Sequence, residues 1–230
     1  MLSINSLGVM MSGKAVLRDI TMDMPSTGLV ALLGPNGAGK STLLRCIAGL
    51  SHGYSGDMLV DNTSLAEFGR RWYSVIGYAP DRPSVPSRLS VSEYLEFIRI
   101  AKGVSPLNNV NQLVQTLNLD DVADIDCKML SLGYSQRVSV AQAFIGNPKV
   151  VLLDEPMQSL DPEQLVRLRE FLLAESKLRL IIMSSHQISE LIHIASSYYV
   201  LQNGALTGPI AVSNHIESDY LALVRNQVSL

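Results

Sequence analysis

The segment Gly34-Pro35-Asn36-Gly37-Ala38-Gly39-Lys40-Ser41-Thr42 satisfies the pattern G-x-x-x-x-G-K-[ST] at every fixed position. That spacing serves one chemistry, the cradling of a nucleoside triphosphate. Glycines at 34, 37 and 39 let the backbone curl until successive N–H groups point inward at phosphate oxygens, along a path that side chains would obstruct. Lys40 adds a point charge, and Ser41 offers a hydroxyl to the magnesium ion that accompanies the nucleotide. A helix beginning near Gly39 would set its positive dipole end against the same phosphates.

A second group of residues completes that chemistry. Val150-Val151-Leu152-Leu153 runs into Asp154-Glu155-Pro156, which puts two adjacent carboxylates at the carboxyl end of a buried strand, where ligands of open parallel sheets gather. An apolar strand ending in an acid is common. Behind a phosphate loop it gains meaning, because a magnesium ion held by the loop hydroxyl needs a carboxylate partner, for which Asp154 stands in order. Glu155 is then positioned to act on water.

The elements that must carry these groups are legible around them. Gly28-Leu29-Val30-Ala31-Leu32-Leu33 is an apolar run of strand length, and Thr42-Leu43-Leu44-Arg45-Cys46-Ile47-Ala48 has helical spacing before Gly49 stops it. Met1-Leu2-Ser3-Ile4-Asn5-Ser6-Leu7 alternates as a half-buried strand does and has no basic leader of a signal peptide. Ser74-Val75-Ile76-Gly77-Tyr78 reads as a strand, followed by the Pro-rich stretch from Pro80 to Pro86. Apolar residues then recur at helical spacing at Leu95, Ile98 and Ala101, and again at Val110, Leu113, Val114 and Leu117. Residues 82–147 therefore read as a helical insert between sheet strands. Leu180-Ile181-Ile182-Met183 is a further run buried on both faces, with helical stretches expected at about 162–176 and 188–196. The turn Leu201-Gln202-Asn203-Gly204 and the apolar positions after it predict a strand pair and one closing helix. The alternation of strands and helices points to a mainly parallel sheet.

Composition sets the limits. The 230 residues suffice for one substantial core with an inserted subdomain and are too few for two nucleotide-binding domains. Charged residues are 17% and mean hydropathy is +0.21, apolar enough to fit either a covered surface or a well-buried parallel sheet. The sequence holds no run of about 18 apolar residues that would cross a membrane. Two cysteines, Cys46 and Cys127, read as structural thiols and fit a reducing cytosol. A net charge of -3, with Arg and Lys scattered, argues against a nucleic-acid partner.

Here the chain resembles a known family. Leu130-Ser131-Leu132-Gly133-Tyr134-Ser135-Gln136-Arg137 is similar to the signature segment LSGGQ of ABC transporter ATP-binding subunits and lies between the phosphate loop and the acidic strand, as in that family. Ser159-Leu160-Asp161 resembles the family's D-loop, and Ile182-Met183-Ser184-Ser185-His186 its switch-histidine segment. Outside that context Ser131 would read simply as a helix cap.

The resemblance implies an α/β fold: a P-loop NTPase core of the RecA-like kind with a mainly parallel sheet, an amino-terminal antiparallel β part and an inserted α-helical subdomain. The whole chain, 1–230, would be one ABC ATPase domain, with 1–81 and 148–230 forming the core and 82–147 the subdomain that bears the signature. Catalysis would rest on Glu155, His186 and Lys40. ATP would be held by Gly34, Pro35, Asn36, Gly37, Ala38, Gly39, Lys40, Ser41, Thr42, Asp81, Ser131, Gly133, Asp161 and Met11. Magnesium would be held by Ser41, Asp154 and Asp81. His186 would meet the terminal phosphate, for which an imidazole N–H is suited in either charge state.

Partners follow from the same resemblance. Two chains, identical or related, would sandwich two ATP molecules, with Ser131 and Gly133 acting on the nucleotide of the opposite chain. A separate integral membrane permease would dock near the Pro-rich segment and Ser90 to Ile100, on the cytoplasmic face of the plasma (inner) membrane. The Ser-Leu-Gly form of the signature, the acid at 81 and the short carboxyl-terminal tail favour export. An importer ATPase and a soluble ABC-type ATPase that remodels a macromolecule are the alternatives. Three departures stand out. Met10 and Met11 occupy the place of an aromatic residue that stacks on adenine, and read either as thioethers packing on the base or as core. Asp81 replaces a glutamine and reads as a ligand of magnesium or water, or as a solvated turn residue. Leu132 replaces the first glycine of the signature.

Overall fold

A computed structural model describes residues 1–83, 85–86, 88–105, 110–188, 191, 193–213 and 215–226. The amino-terminal alternation becomes β1 (Leu2–Met11), paired antiparallel with β2 (Lys14–Met24). After β3 (Gly28–Leu33) and α1 (Lys40–Ile47), the chain returns through β4 (Tyr54–Val60) to the other edge of β1, and β5 (Thr63–Ser64) extends that sheet. The first sheet thus has the order β2-β1-β4-β5 and is antiparallel throughout. Alternation in β1 turns Leu2, Ile4, Leu7 and Val9 inward and leaves the opposite face wet.

Two short helices, α2 (Leu65–Phe68) and α3 (Trp72–Val75), lead to β6 (Ile76–Ala79). Among the described residues, the α-helices α4 (Val91–Ala101), α5 (Val110–Thr116) and α6 (Leu132–Phe144) follow before β7 (Val150–Asp154). Then come α7 (Pro162–Ser176), β8 (Leu180–Ser185), β9 (Ser197–Gln202), β10 (Ala205–Ala211) and α8 (Ile216–Asn226). Of the stretch expected to be helical at 188–196, residues 189, 190 and 192 lie outside the described residues.

The second sheet has the order β10-β9-β3-β8-β7-β6, parallel except at the β10 edge. Its central strands are apolar without alternation because both faces are covered. Leu29, Ala31, Val151, Leu153, Ile181 and Met183 join a core with α4, α6 and α7, while Val30, Leu32, Val150, Leu152, Leu180 and Ile182 join one with α1 and the first sheet. Full burial of a Leu or Ile side chain in such a layer contributes about 2 kcal/mol. The sandwich holds the carboxyl ends of β3, β8, β7 and β6 level along one rim. Within it, α6 lies directly on β6: a Cβ at Gly77 would come 1.8 Å from the Ala143 carbonyl oxygen.

Candidate functional site

The phosphate loop leaves β3 at Leu33. A Cβ on Gly34 would fall 2.2 Å from the Leu201 carbonyl oxygen, so no side chain fits where the loop passes β9. Gly39 turns the chain into α1 with φ 105°, a left-handed conformation that favours glycine. The helix begins with no side-chain cap and no acid in its first turn. By contrast α4, α6 and α7 are each capped by a side chain, from Ser90, Ser131 and Asp161. An uncapped start leaves the leading N–H groups to an anion.

The loop and the acidic strand end meet in a cavity of about 380 Å³. Val16, Asn36 to Thr42, Asp81, Glu155 and Gln158 line it. Lys40 folds over the loop and donates to the carbonyl of Gly34 at 2.7 Å, with its Nζ 3.6 Å from Glu155 Oε1. Both side chains are almost wholly buried, so this ion pair is little screened. His186 Nδ1 lies 3.0 Å from Glu155 Oε2; an ionised carboxylate only accepts, so the imidazole carries its proton on Nδ1. Asp154 is 1% exposed, and burial raises its carboxyl above the ordinary range, opposed by hydrogen bonds from Ser184 and Ser41 and reinforced by the nearby charges of Asp81 and Glu155.

Those contacts test the site for a divalent ion. The Ser41 hydroxyl and the Asp154 carboxylate are within hydrogen-bonding reach of each other, and Asp81 stands on the same cavity wall. Hard oxygen donors so grouped fit magnesium.

Gly34, Pro35, Asp154 and His186 do not line this cavity but adjoin it, bonded to Lys40, Ser41 and Glu155 of its wall, whereas Ser131, Gly133, Asp161 and Met11 lie apart from it. Ser131 caps α6 through the Tyr134 N–H at 3.3 Å, and Gly133 is pressed between the Ser159 carbonyl and Gln164, each within 3.2 Å of where its Cβ would sit. Asp161 caps α7, accepting from the Gln164 N–H at 2.9 Å. Met11 ends β1 opposite Lys14, beside the turn that carries Val16 into the cavity wall. Met10 and Met11 are 61% and 55% exposed, which removes core filling as their role.

Sequence reasoning passed over several residues that touch this arrangement. Ser184 bonds both to Asp154 and to the backbone of Glu155, and Gln136 reaches the Glu155 carbonyl at 3.5 Å. Neither could be found without the register of β7 against β8 and the packing of α6. Tyr134, at the fifth position of the signature segment, takes the Arg137 guanidinium over its ring at 4.2 Å; comparison with LSGGQ alone would have flagged it. A larger cleft of about 1300 Å³ lies between α5 and α7. Its cations Lys149, Arg167 and Arg179 are each paired with an acid, and neither the phosphate loop nor the acidic strand end reaches it.

Comparison with known proteins agrees with this geometry. Residues 17–158 match the family model described as ABC transporter. The lantibiotic transport ATP-binding protein SrtF of Streptococcus pyogenes is 31% identical over 90% of this chain and 89% of its own length. The lipopolysaccharide export system ATP-binding protein LptB of Escherichia coli is 29% identical over 96% of both chains. Among solved structures, an ATP-binding subunit of an ABC transporter superposes with a TM-score of 0.85 at 25% identity, covering 96% of this chain and 94% of that one. A dimeric ATP-binding cassette bound to ADP and Pi superposes with 0.83 at 19% identity over 93% of this chain and 100% of that one, a likeness of fold.

Proposed function

We propose, since this chain belongs to the ABC transporter family, that it is the ATP-hydrolysing subunit of an exporter whose membrane-spanning part is a separate polypeptide. The observation that carries this reading is the convergence, on one cavity rim, of an uncapped helix start, the buried Lys40–Glu155 pair and the Glu155–His186 hydrogen bond. The uncapped start and Lys40 bind the phosphates. Glu155 is the general base that takes a proton from the attacking water, and His186, which holds the Glu155 carboxylate through Nδ1, donates to the terminal phosphate from its other ring nitrogen when the ring is doubly protonated. Magnesium bound by Ser41 and Asp154, with Asp81 nearby, would neutralise charge on the phosphate oxygens.

Ser131 and Gly133 lie outside the cavity of their own chain, which fits their acting on the nucleotide of a second copy or a related chain. Phosphate charge is then neutralised from both sides only when the two chains close, and hydrolysis removes the bridge. The described residues contain no helix long and apolar enough to cross a membrane, which fits a separate permease. Phe97 and Ile100, 57% and 61% exposed on α4, offer that permease an apolar footing on the cytoplasmic side. The name of SrtF, a lantibiotic transport ATP-binding protein, supports transport, and that of LptB, an ATP-binding protein of a lipopolysaccharide export system, supports export.

The test is ATP hydrolysis by the purified chain, with and without solubilised membranes from its source, beside Lys40→Ala. Activity that needs Lys40 and rises with membranes supports the transporter subunit. Lys40-dependent activity indifferent to membranes would favour a soluble remodelling ATPase instead.

A further inference from the structure

We infer that Ser184 is a positioning residue for hydrolysis, setting both carboxylates of the acidic strand end with a single hydroxyl. The parallel register of β7 and β8 places Ser184 directly beside Asp154. Its Oγ donates to Asp154 Oδ1 at 2.6 Å and accepts from the backbone N–H of Glu155 at 3.0 Å. A hydroxyl has one proton, and with that proton committed to Asp154 its lone pairs are left facing Glu155. Ser184 is fully buried, so it acts through these two residues and does not touch the nucleotide.

The need for such a clamp lies in the backbone. Glu155 is the first residue beyond β7 and has φ 49°, a left-handed conformation that a residue with a side chain adopts only when its surroundings hold it. This turn sends the Asp154 carboxylate toward Ser41 and the Glu155 carboxylate toward Lys40 and His186. The two serines that end β8 divide the work. Ser184 anchors the acidic turn, while Ser185 accepts from the Gln187 N–H at 2.9 Å and so holds the turn that carries His186. Without the Ser184 hydroxyl, the Glu155 N–H loses this acceptor, and the turn that aims the carboxylate at Lys40 and His186 loses its anchor.

The inference rests on the roles given above to Asp154 and Glu155. It is tested by steady-state ATP hydrolysis of Ser184→Ala, Ser184→Thr and Ser184→Val, with thermal unfolding of each, beside Glu155→Gln. Loss of the hydroxyl in the Ala and Val variants lowers kcat roughly 10- to 100-fold, since a small misplacement of a catalytic group has that effect, while the KM for ATP stays within about twofold. Threonine keeps the hydroxyl in the volume of valine and recovers most of kcat. Val and Thr variants of equal kcat, or an Ala variant with the parental kcat, overturn the proposal. The Ala variant only removes an atom and keeps the question decidable where the branched variants fail to fold. If Glu155→Gln hydrolyses ATP at the parental rate, the reading of the site itself fails. If Glu155→Gln is inactive while Ser184→Ala matches the parent, only the role of Ser184 falls.

Discussion

Met11 asks a question that the phosphate-binding residues do not. The phosphate loop recognises what all nucleoside triphosphates share, so preference for a base must come from the surface beyond it, where Met10 and Met11 stand exposed beside the turn leading to Val16. A thioether packs on a purine without the rigid face of an aromatic ring. Stacking on an aromatic side chain contributes about 1–3 kcal/mol per base. Met11→Tyr is therefore expected to tighten ATP binding about 5- to 150-fold, read by equilibrium titration with a fluorescent analogue. An unchanged affinity would place the base elsewhere. The residue type and its place in the order of motifs were legible in the sequence. Whether the methionines were core or surface was not, because burial depends on what packs over the strand end.

Helix α6 joins the signature end of the molecule to the sheet. Ser131 starts it, and its other end lies against β6 so closely that Gly77 has no space for a Cβ. Lys102, the residue that ends α4, donates to the Ile145 carbonyl at 3.0 Å, just beyond the last turn of α6. A cation at a helix carboxyl end is favoured by the helix dipole, but here burial prevails and pushes the Lys102 ammonium down to about 8 from its ordinary 10.5. Below the lower value both folded and unfolded chains hold the proton, and the full cost of burying the charge is present. Between the two values the unfolded chain binds more protons than the folded one, so stability rises with pH. Urea unfolding of the parent and Lys102→Met across that window should show the parent gaining on the variant; a constant gap would mean that the ammonium is solvated. The insertion of helices between β6 and β7 was visible as helical periodicity. The contact of α4 with the end of α6 was not, since the two residues involved are separated by 43 positions and meet only after the insert has folded back.

The molecule as a whole brings one half of its chemistry to its own cavity and leaves the signature outside it. Closure of two chains around ATP is the arrangement that would use both halves. Glu155→Gln removes the proposed base while keeping the shape of the side chain. It should hydrolyse ATP at least about 100-fold more slowly and accumulate as a closed dimer when ATP and magnesium are added. Light scattering with and without ATP checks this, and a variant that stays monomeric in saturating ATP would overturn the role given to nucleotide in the interface.

Two kinds of information met in this chain. The phosphate loop, the apolar strands and the acid pair were readable in order because each is local: a turn that needs glycine, a run buried on both faces, a charge placed where a strand ends. The same locality made the alternating strands and helices of a mainly parallel sheet legible, whereas the antiparallel part ahead of it was expected only from the family resemblance. Pairings between strands were of the other kind. Ser184 meets Asp154 across 30 positions, and His186 meets Glu155 across 31, because β8 runs parallel to β7 in one register. A shift of one residue would turn Ser184 away from both acids, and that register is set by two packed cores on opposite faces of the sheet, which exist only once the chain has closed around them.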